Sequence, residues 1–285
     1  ALGFRALTTN TTGTENTSVG KDALKLNSTG NYNVAMGNDA LFNNLASYNT
    51  AIGYKALLAN TTGTQNIAIG AYALDANTTA NNNTAVGYDA LTDNTTGTQN
   101  IAVGTQALQN NTTGDYNAAV GYRPLDANTT GDANTGMGYA ALYTNSTGDN
   151  NSAFGASSLL LATTASNNAA FGAYALAATT TGADNVAVGS HALDANTTGR
   201  MSVAVGKDSL GANTTGEFNV AIGREAMASN TTGNFNTAVG LNALSANTTA
   251  DGNVAVGRNA GVNITTGHEN VAIGAYSLDA VTTGN

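Results

Sequence analysis

Catalysis needs a few unlike groups held together at one place, so the reactive side chains of this 285-residue chain are the first thing to locate. There are two histidines, His191 and His268, and no cysteine. The histidines stand about four and a half repeat units apart in the array described below, too far to share a metal. Serines occur without a histidine base or the elbow-like turn that would activate one. No phosphate loop, His-Glu-x-x-His pair or EF-hand loop appears, and the Asp- and Asn-bearing turns lack the glycine-rich nonapeptide of calcium-binding rolls. The expectation is a protein that is not an enzyme, with no catalytic residue, no cofactor and no resident metal.

One modification signal is written many times over. Asn-Thr-Thr or Asn-Ser-Thr occurs at twelve places, from Asn10 to Asn247, which in a secretory pathway would be a row of N-glycosylation acceptors. The glycine that follows most of them favours another reading, in which N-T-T-G is a turn whose Asn and Thr side chains bond to nearby backbone and whose glycine takes positive φ. Ranks of stacked threonines also raise an ice-binding solenoid as an alternative. Strand-borne arrays of that kind use T-x-T, where both hydroxyls share a face, and here the two threonines are adjacent.

Charged residues make up 9% of the chain, the formal charge is −9 and the isoelectric point lies near 4.3. That balance opposes nucleic acid and anionic membranes, because phosphate binding depends on clustered Lys and Arg. No apolar run is long enough for a membrane span. With 34 glycines, one proline and no tryptophan, the chain is poor in the large side chains that fill a globular core. Its low charge and recurring Val and Ile also separate it from disordered sequences.

What must position any functional group is a repeat. The glycines closing each Ala-Val-Gly-like triplet, from Gly3 and Gly20 to Gly257 and Gly274, are spaced 17 apart everywhere except between Gly37 and Gly53, where 53 − 37 = 16. One residue is therefore missing in the turn around Leu45, Ala46 and Ser47. Counting that glycine as offset zero, the unit reads G-x-x-A-L-x-x-N-T-T-G-x-x-N-[TVI]-A-[VIMF]. Apolar residues never keep helical spacing, and Gly, Thr and Asn fill about half of each unit. The expected fold is all-β, a parallel β-solenoid of about seventeen 17-residue rungs forming one continuous array over residues 1–285, an internal segment of a longer fibre that stops inside a turn at Gly284 and Asn285.

In one unit the expected structural columns are Gly87, Ala90, Leu91, Asn94, Gly97, Asn100, Ala102 and Val103. Leucine at offset four and the apolar residue at offset sixteen are two core columns, the second enlarged at Phe154 and Phe171. Alternation along a strand puts the small residues at offsets three and fifteen on the opposite faces. Those faces hold almost nothing larger than Ala or Ser, so another surface is expected to pack against them. Asparagines at offset thirteen, such as Asn66, Asn83, Asn100, Asn117 and Asn134, are placed to bond along a ladder. Offsets one and two vary freely and so face outward, which makes Tyr54, Tyr72, Tyr88, Tyr122 and Tyr139 the candidate surface contacts. Between Gly155 and Thr181, where Leu159, Leu160 and Leu161 run together, a slightly wider rung is expected.

The segments NVAMG, NIAIG, NTAVG and NVAVG, each followed by x-x-A, resemble the head repeats of YadA-type trimeric autotransporter adhesins, and longer variants resemble segments of viral tail fibres. This unit is three residues longer, with the difference placed in the N-T-T-G turn. The resemblance implies a left-handed β-roll with three chains side by side, which would supply a partner for the alanine faces. It also implies an extracellular, cell-surface or virion location. The function expected is a stiff fibre acting as surface adhesin or host-receptor-binding tail fibre, with itself as partner and a host receptor, matrix protein or glycan as its target. A structural matrix or sheath filament is the alternative.

Overall fold

The computed structural model describes residues 1–284; Asn285, on which the expected final turn ends, lies outside them. The chain is a β-solenoid. It divides into two units, Ala1–Thr147 and Gly148–Asn285. The first carries eight three-residue strands, β1 (Thr17–Val19) to β8 (Thr135–Met137), and the second carries eight more, β9 (Ser152–Phe154) to β16 (Val271–Ile273). In each unit, sequential strands pair in parallel and in register, so that Thr84, Ala85 and Val86 lie against Ile101, Ala102 and Val103, and Val203, Ala204 and Val205 against Val220, Ala221 and Ile222. The register crosses the missing residue intact: Val34, Ala35 and Met36 meet Thr50, Ala51 and Ile52. Among the described residues there is no helix, and so none long and apolar enough to cross a membrane.

The strand occupies offsets fourteen to sixteen only, and the rest of each rung is turn. That turn still bonds along the stack. The Asp89 N–H donates to Ala71 O of the preceding rung at 3.1 Å, and the Leu91 N–H to Ala107 O of the following one at 3.0 Å. Such up-and-down alternation outside a strand requires left-handed backbone, and it appears at offsets two, four and twelve: Asp89, Leu91 and Gln99 have φ of 52°, 53° and 59°. Each such residue costs about 1–2 kcal/mol when it carries a Cβ, and a β-branched side chain costs more. Accordingly Val, Ile and Thr are absent from all three offsets, although Val and Ile crowd offset sixteen.

This backbone turns the leucine inward, against the expectation that it opposes the small residue before it. Ala90 and Leu91 are both fully buried, and so is Ala102. A Cβ on Gly136, at the alanine offset of its strand, would meet the Leu125 side chain of its own rung at 3.4 Å. Offsets three and fifteen are small because the leucine of the same rung fills the space between them, so the alanine faces need no second surface. The offset-sixteen column is correspondingly not core. Val103 points outward and is half-buried, and Phe154 and Phe171 stack outside, with ring centroids 4.9 Å apart.

Two asparagine columns complete the interior. At offset thirteen the Asn100 N–H donates to Asn83 Oδ1 at 2.9 Å and Asn100 Nδ2 donates to Gly114 O at 2.8 Å. At offset seven Asn94 Nδ2 donates to Asn77 Oδ1 at 3.1 Å and to Gly97 O at 2.9 Å. Buried amides of this kind satisfy carbonyls that the tight turns aim inward. The N-T-T-G glycine departs from expectation: Gly97 does not have positive φ, and its smallness serves a close approach to Asn94 Oδ1 and Gly114 O.

Departures from the consensus are compensated locally. Gly261 stands where leucine belongs and Ile264 where the asparagine belongs; Ile264 is fully buried, and its Cδ1 lies 3.0 Å from where a Cβ on Gly261 would be, so it refills the core. The cost falls on the column, because Asn247 Oδ1, which meets Ile264 instead of an amide, is left buried without a partner. In the leucine-rich rung, Leu159 takes the core position and is fully buried while Leu161 is 44% exposed.

Candidate contact surfaces

Outward columns are what the repeating part of this fold offers a partner. One runs along the strands. In the first unit Met36, Ile67, Ile69, Ile101, Val120 and Met137 are each 36–47% exposed, and in the second Phe171, Val186, Val188, Ile222 and Val256 continue the same two offsets. Not one charged residue occurs at offset fourteen or sixteen, whereas neighbouring outward offsets take Lys, Arg, Asp and Glu freely. A contiguous apolar strip without charge is the usual mark of an interaction surface.

Beside the strip lie aromatic columns. Tyr54, Tyr88, Tyr122 and Tyr139 are exposed and Tyr72 is half-buried. Tyr122 and Tyr139 stack at 5.6 Å, while Tyr72 meets Tyr54 and Tyr88 edge-on at 5.3 and 6.2 Å. Lys55 Nζ sits over both Tyr54 and Tyr72. The rings therefore pack in two groups, Tyr54 with Tyr72 and Tyr88, and Tyr122 with Tyr139, and are accessible at the same time. Offset twelve carries a second aromatic column that the repeat consensus leaves unmarked: Tyr32 stacks on Tyr48, and Phe218 on Phe235, both at 5.0 Å. The signal that could have found it is that offset twelve, like offset one, accepts rings in consecutive units.

The polar candidates are consumed by the fold. From Asn27 to Asn247, the offset-seven asparagines of the Asn-Thr-Thr and Asn-Ser-Thr triplets are completely inaccessible. Their amides donate inside the stack, as Asn111 Nδ2 does to Asn94 Oδ1 at 2.8 Å. No glycan can be attached to such a nitrogen in the folded chain. Thr61 Oγ1 likewise donates to Thr78 O of the following rung at 3.0 Å, and Thr95 and Thr112 repeat the bond, which withdraws these hydroxyls from any array facing water. The histidines have separate structural tasks. His191 stacks on Tyr174 at 5.1 Å, and His268 Nδ1 accepts the Asp251 N–H at 3.0 Å.

Several carboxyls are displaced from their ordinary range, Asp22 downward by its hydrogen bond with Arg5 and Asp89 and Asp194 upward by burial, and the shift at Asp75 is large. Asp75 is pushed up to about 6, chiefly by burial and then by Asp93 and Asp89, with Lys55 opposing. A carboxyl whose pKa is raised on folding favours the folded state at low pH, and that contribution is lost as pH rises from about 4 through about 6. Asp75→Asn is therefore expected to raise the urea midpoint above about pH 6.5 and to leave it unchanged below about pH 4. A gain of equal size at both pH values would show that repulsion and burial at this carboxylate are not its cause.

No protein-family model matches the chain, and no curated protein matches it in sequence.

Proposed function

We propose that this chain is a segment of an extracellular fibre in which three copies lie side by side and the outer columns contact a host or matrix surface. One observation carries the reading: the uncharged Val, Ile, Met and Thr strip at offsets fourteen and sixteen, left open by a chain whose own core is already complete. Covering it requires a partner with apolar groups at the same spacing along many rungs, and a second copy of this chain has that spacing by construction. Faces of parallel sheets are ordinarily covered on both sides, with about 10 Å between packed sheets. The contact expected at the alanine faces thus moves to the opposite face of the same strand. The resemblance to trimeric adhesin and tail-fibre repeats supports the number three and the surface-exposed location. Tyr54, Tyr88, Tyr122 and Tyr139 supply the outer contact, since tyrosine brings area and a hydroxyl at low entropic cost. A matrix or sheath filament would use the same packing without the outer contact. The first threonine of each turn gives its hydroxyl proton to the next rung, which leaves one outward threonine per rung in place of the paired T-x-T of an ice-binding array.

Particle mass tests the reading. Sedimentation equilibrium is expected to give three chains for the natural sequence and one for the triple variant Ile67→Lys, Ile69→Lys, Ile101→Lys. Circular dichroism should be unchanged, because lysine on an exposed strand face costs at most about 1 kcal/mol per site. A natural chain that sediments as a single copy at micromolar concentration sinks the proposal.

A further inference from the structure

A surface that repeats every rung offers a ligand the same site many times, so a distinct site has to sit where the repeat breaks. In this chain the repeat changes length once, in the turn around Leu45, Ala46 and Ser47. The missing turn residue has structural consequences. Asn44 Nδ2 donates to Ala46 O at 2.8 Å, and Asn27 Oδ1 in the rung before is left buried and unpartnered. Where the full-length turns project, the shortened one leaves a shallow groove of about 530 Å³ lined by Leu45, Ser47, Tyr48, Thr62 and Gln65 among others.

The chemistry of that groove is specific. Tyr48 is 59% exposed, yet its ring is held in place by stacking on Tyr32 at 5.0 Å and 5°. The Tyr48 hydroxyl, the Thr62 hydroxyl and the Gln65 amide have no side-chain hydrogen bond among the described residues, whereas Thr61 and Thr64 beside them are engaged. Ser47 Oγ accepts the Asn31 N–H at 2.9 Å and keeps its own proton free to donate. No charged side chain lines the groove. An anion or a cation finds no counter-charge here, and a purely apolar molecule would leave four polar groups facing it unmatched. A pyranose has what is complementary: an apolar C–H face for Leu45 and the tyrosine, and neutral hydroxyls that both donate and accept.

We infer that the groove at the shortened turn is a subsite for one neutral saccharide unit. This deepens the surface-contact reading and rests on it for its use, since a site this open binds a single sugar with a dissociation constant on the order of millimolar. Several chains in one fibre would multiply that affinity on a glycan-coated surface.

Saturation-transfer NMR on the intact chain tests it, with methyl α-glucopyranoside, methyl β-galactopyranoside and methyl N-acetyl-β-glucosaminide as probes and particle mass recorded on the same samples. At least one probe is expected to saturate. Tyr48→Ala should weaken it at least tenfold, and Tyr116→Ala, at a comparably exposed tyrosine of the same offset outside the groove, should leave it unchanged. Rebuilding the full turn, by Leu45→Thr with a threonine inserted after it, should abolish binding while circular dichroism and mass stay as they were. No saturation by any probe up to about 100 mM (a concentration about a hundred times the expected constant), or binding that survives the rebuilt turn, overturns the inference. The mass arm reads separately: sugar binding by a single-copy particle would sink the side-by-side fibre and leave the subsite standing.

Discussion

Gly87→Ala is expected to destabilise the array by about 3–5 kcal/mol, while Gly97→Ala, ten residues further along the same rung, costs no more than about 1 kcal/mol. Both glycines are close to backbone of the next rung, and only one of them is conformationally irreplaceable. Gly87 has φ +144, a region that L side chains rarely adopt, and a Cβ there would collide with the carbonyl of Gly104. That carbonyl is fixed by its own rung, so neither partner can yield without breaking the stack. Gly97 lies outside the left-handed region. Its Cβ would press on Asn94 Oδ1 and Gly114 O, but the chain itself shows how much this matters. Ala80, Ala165 and Ala250 occupy the same offset, and the Ala80 and Ala250 carbonyls still accept from Asn66 and Asn236 at 2.8 and 2.7 Å. Urea midpoints of the two variants measure the contrast. Equal losses would mean that rung spacing, not backbone conformation, dictates glycine at offset zero.

The same distinction explains which parts of the molecule the sequence discloses. Period, register and strand position follow from spacing alone, because any residue 17 positions on is the one it stacks against. Burial of both asparagine columns is also foreseeable, at least in kind, since an amide repeated in every unit has backbone groups above and below it to bond. The facing of the large residues is different. Alternation assigns faces correctly only where the backbone is extended, and Leu91 at φ 53° is not extended. One left-handed residue reverses the side on which the leucine lies, and with it the choice between the alanine face and the Val/Ile face as the open surface. The clue available was steric: offset four takes Leu, Met and Gly but never Val or Ile, although both abound twelve positions later. The groove at the shortened turn was legible as a missing residue, but not as a cavity, because its walls come from Tyr48 and Gln65 in successive rungs.

Asn100→Asp separates packing from hydrogen bonding in the buried columns, and its effect is expected to depend steeply on pH. The replacement is nearly isosteric and keeps the acceptor that receives the Asn117 N–H at 2.9 Å. It removes the donor that Nδ2 presents to Gly114 O at 2.8 Å, and at neutral pH it sets a carboxylate against that carbonyl at a fully buried site. The cost at about pH 7 is about 3–5 kcal/mol, the usual consequence of an unpaired buried charge. Burial raises the carboxyl pKa in the folded state above its unfolded value of about 3.9. Protonation therefore favours the fold, so the destabilisation is small below about pH 4, where the carboxyl O–H donates to Gly114 O as the amide did, and grows as pH rises through the folded pKa. Asn100→Ser is the control, patterned on Ser202, which stands in the same column and still accepts the Asn219 N–H at 3.2 Å. It keeps an acceptor, brings no charge, and should cost about 1–2 kcal/mol at every pH. If the aspartate variant lost the same stability in acid as at neutral pH, the column would be held by shape and not by the amide proton that each rung gives the next.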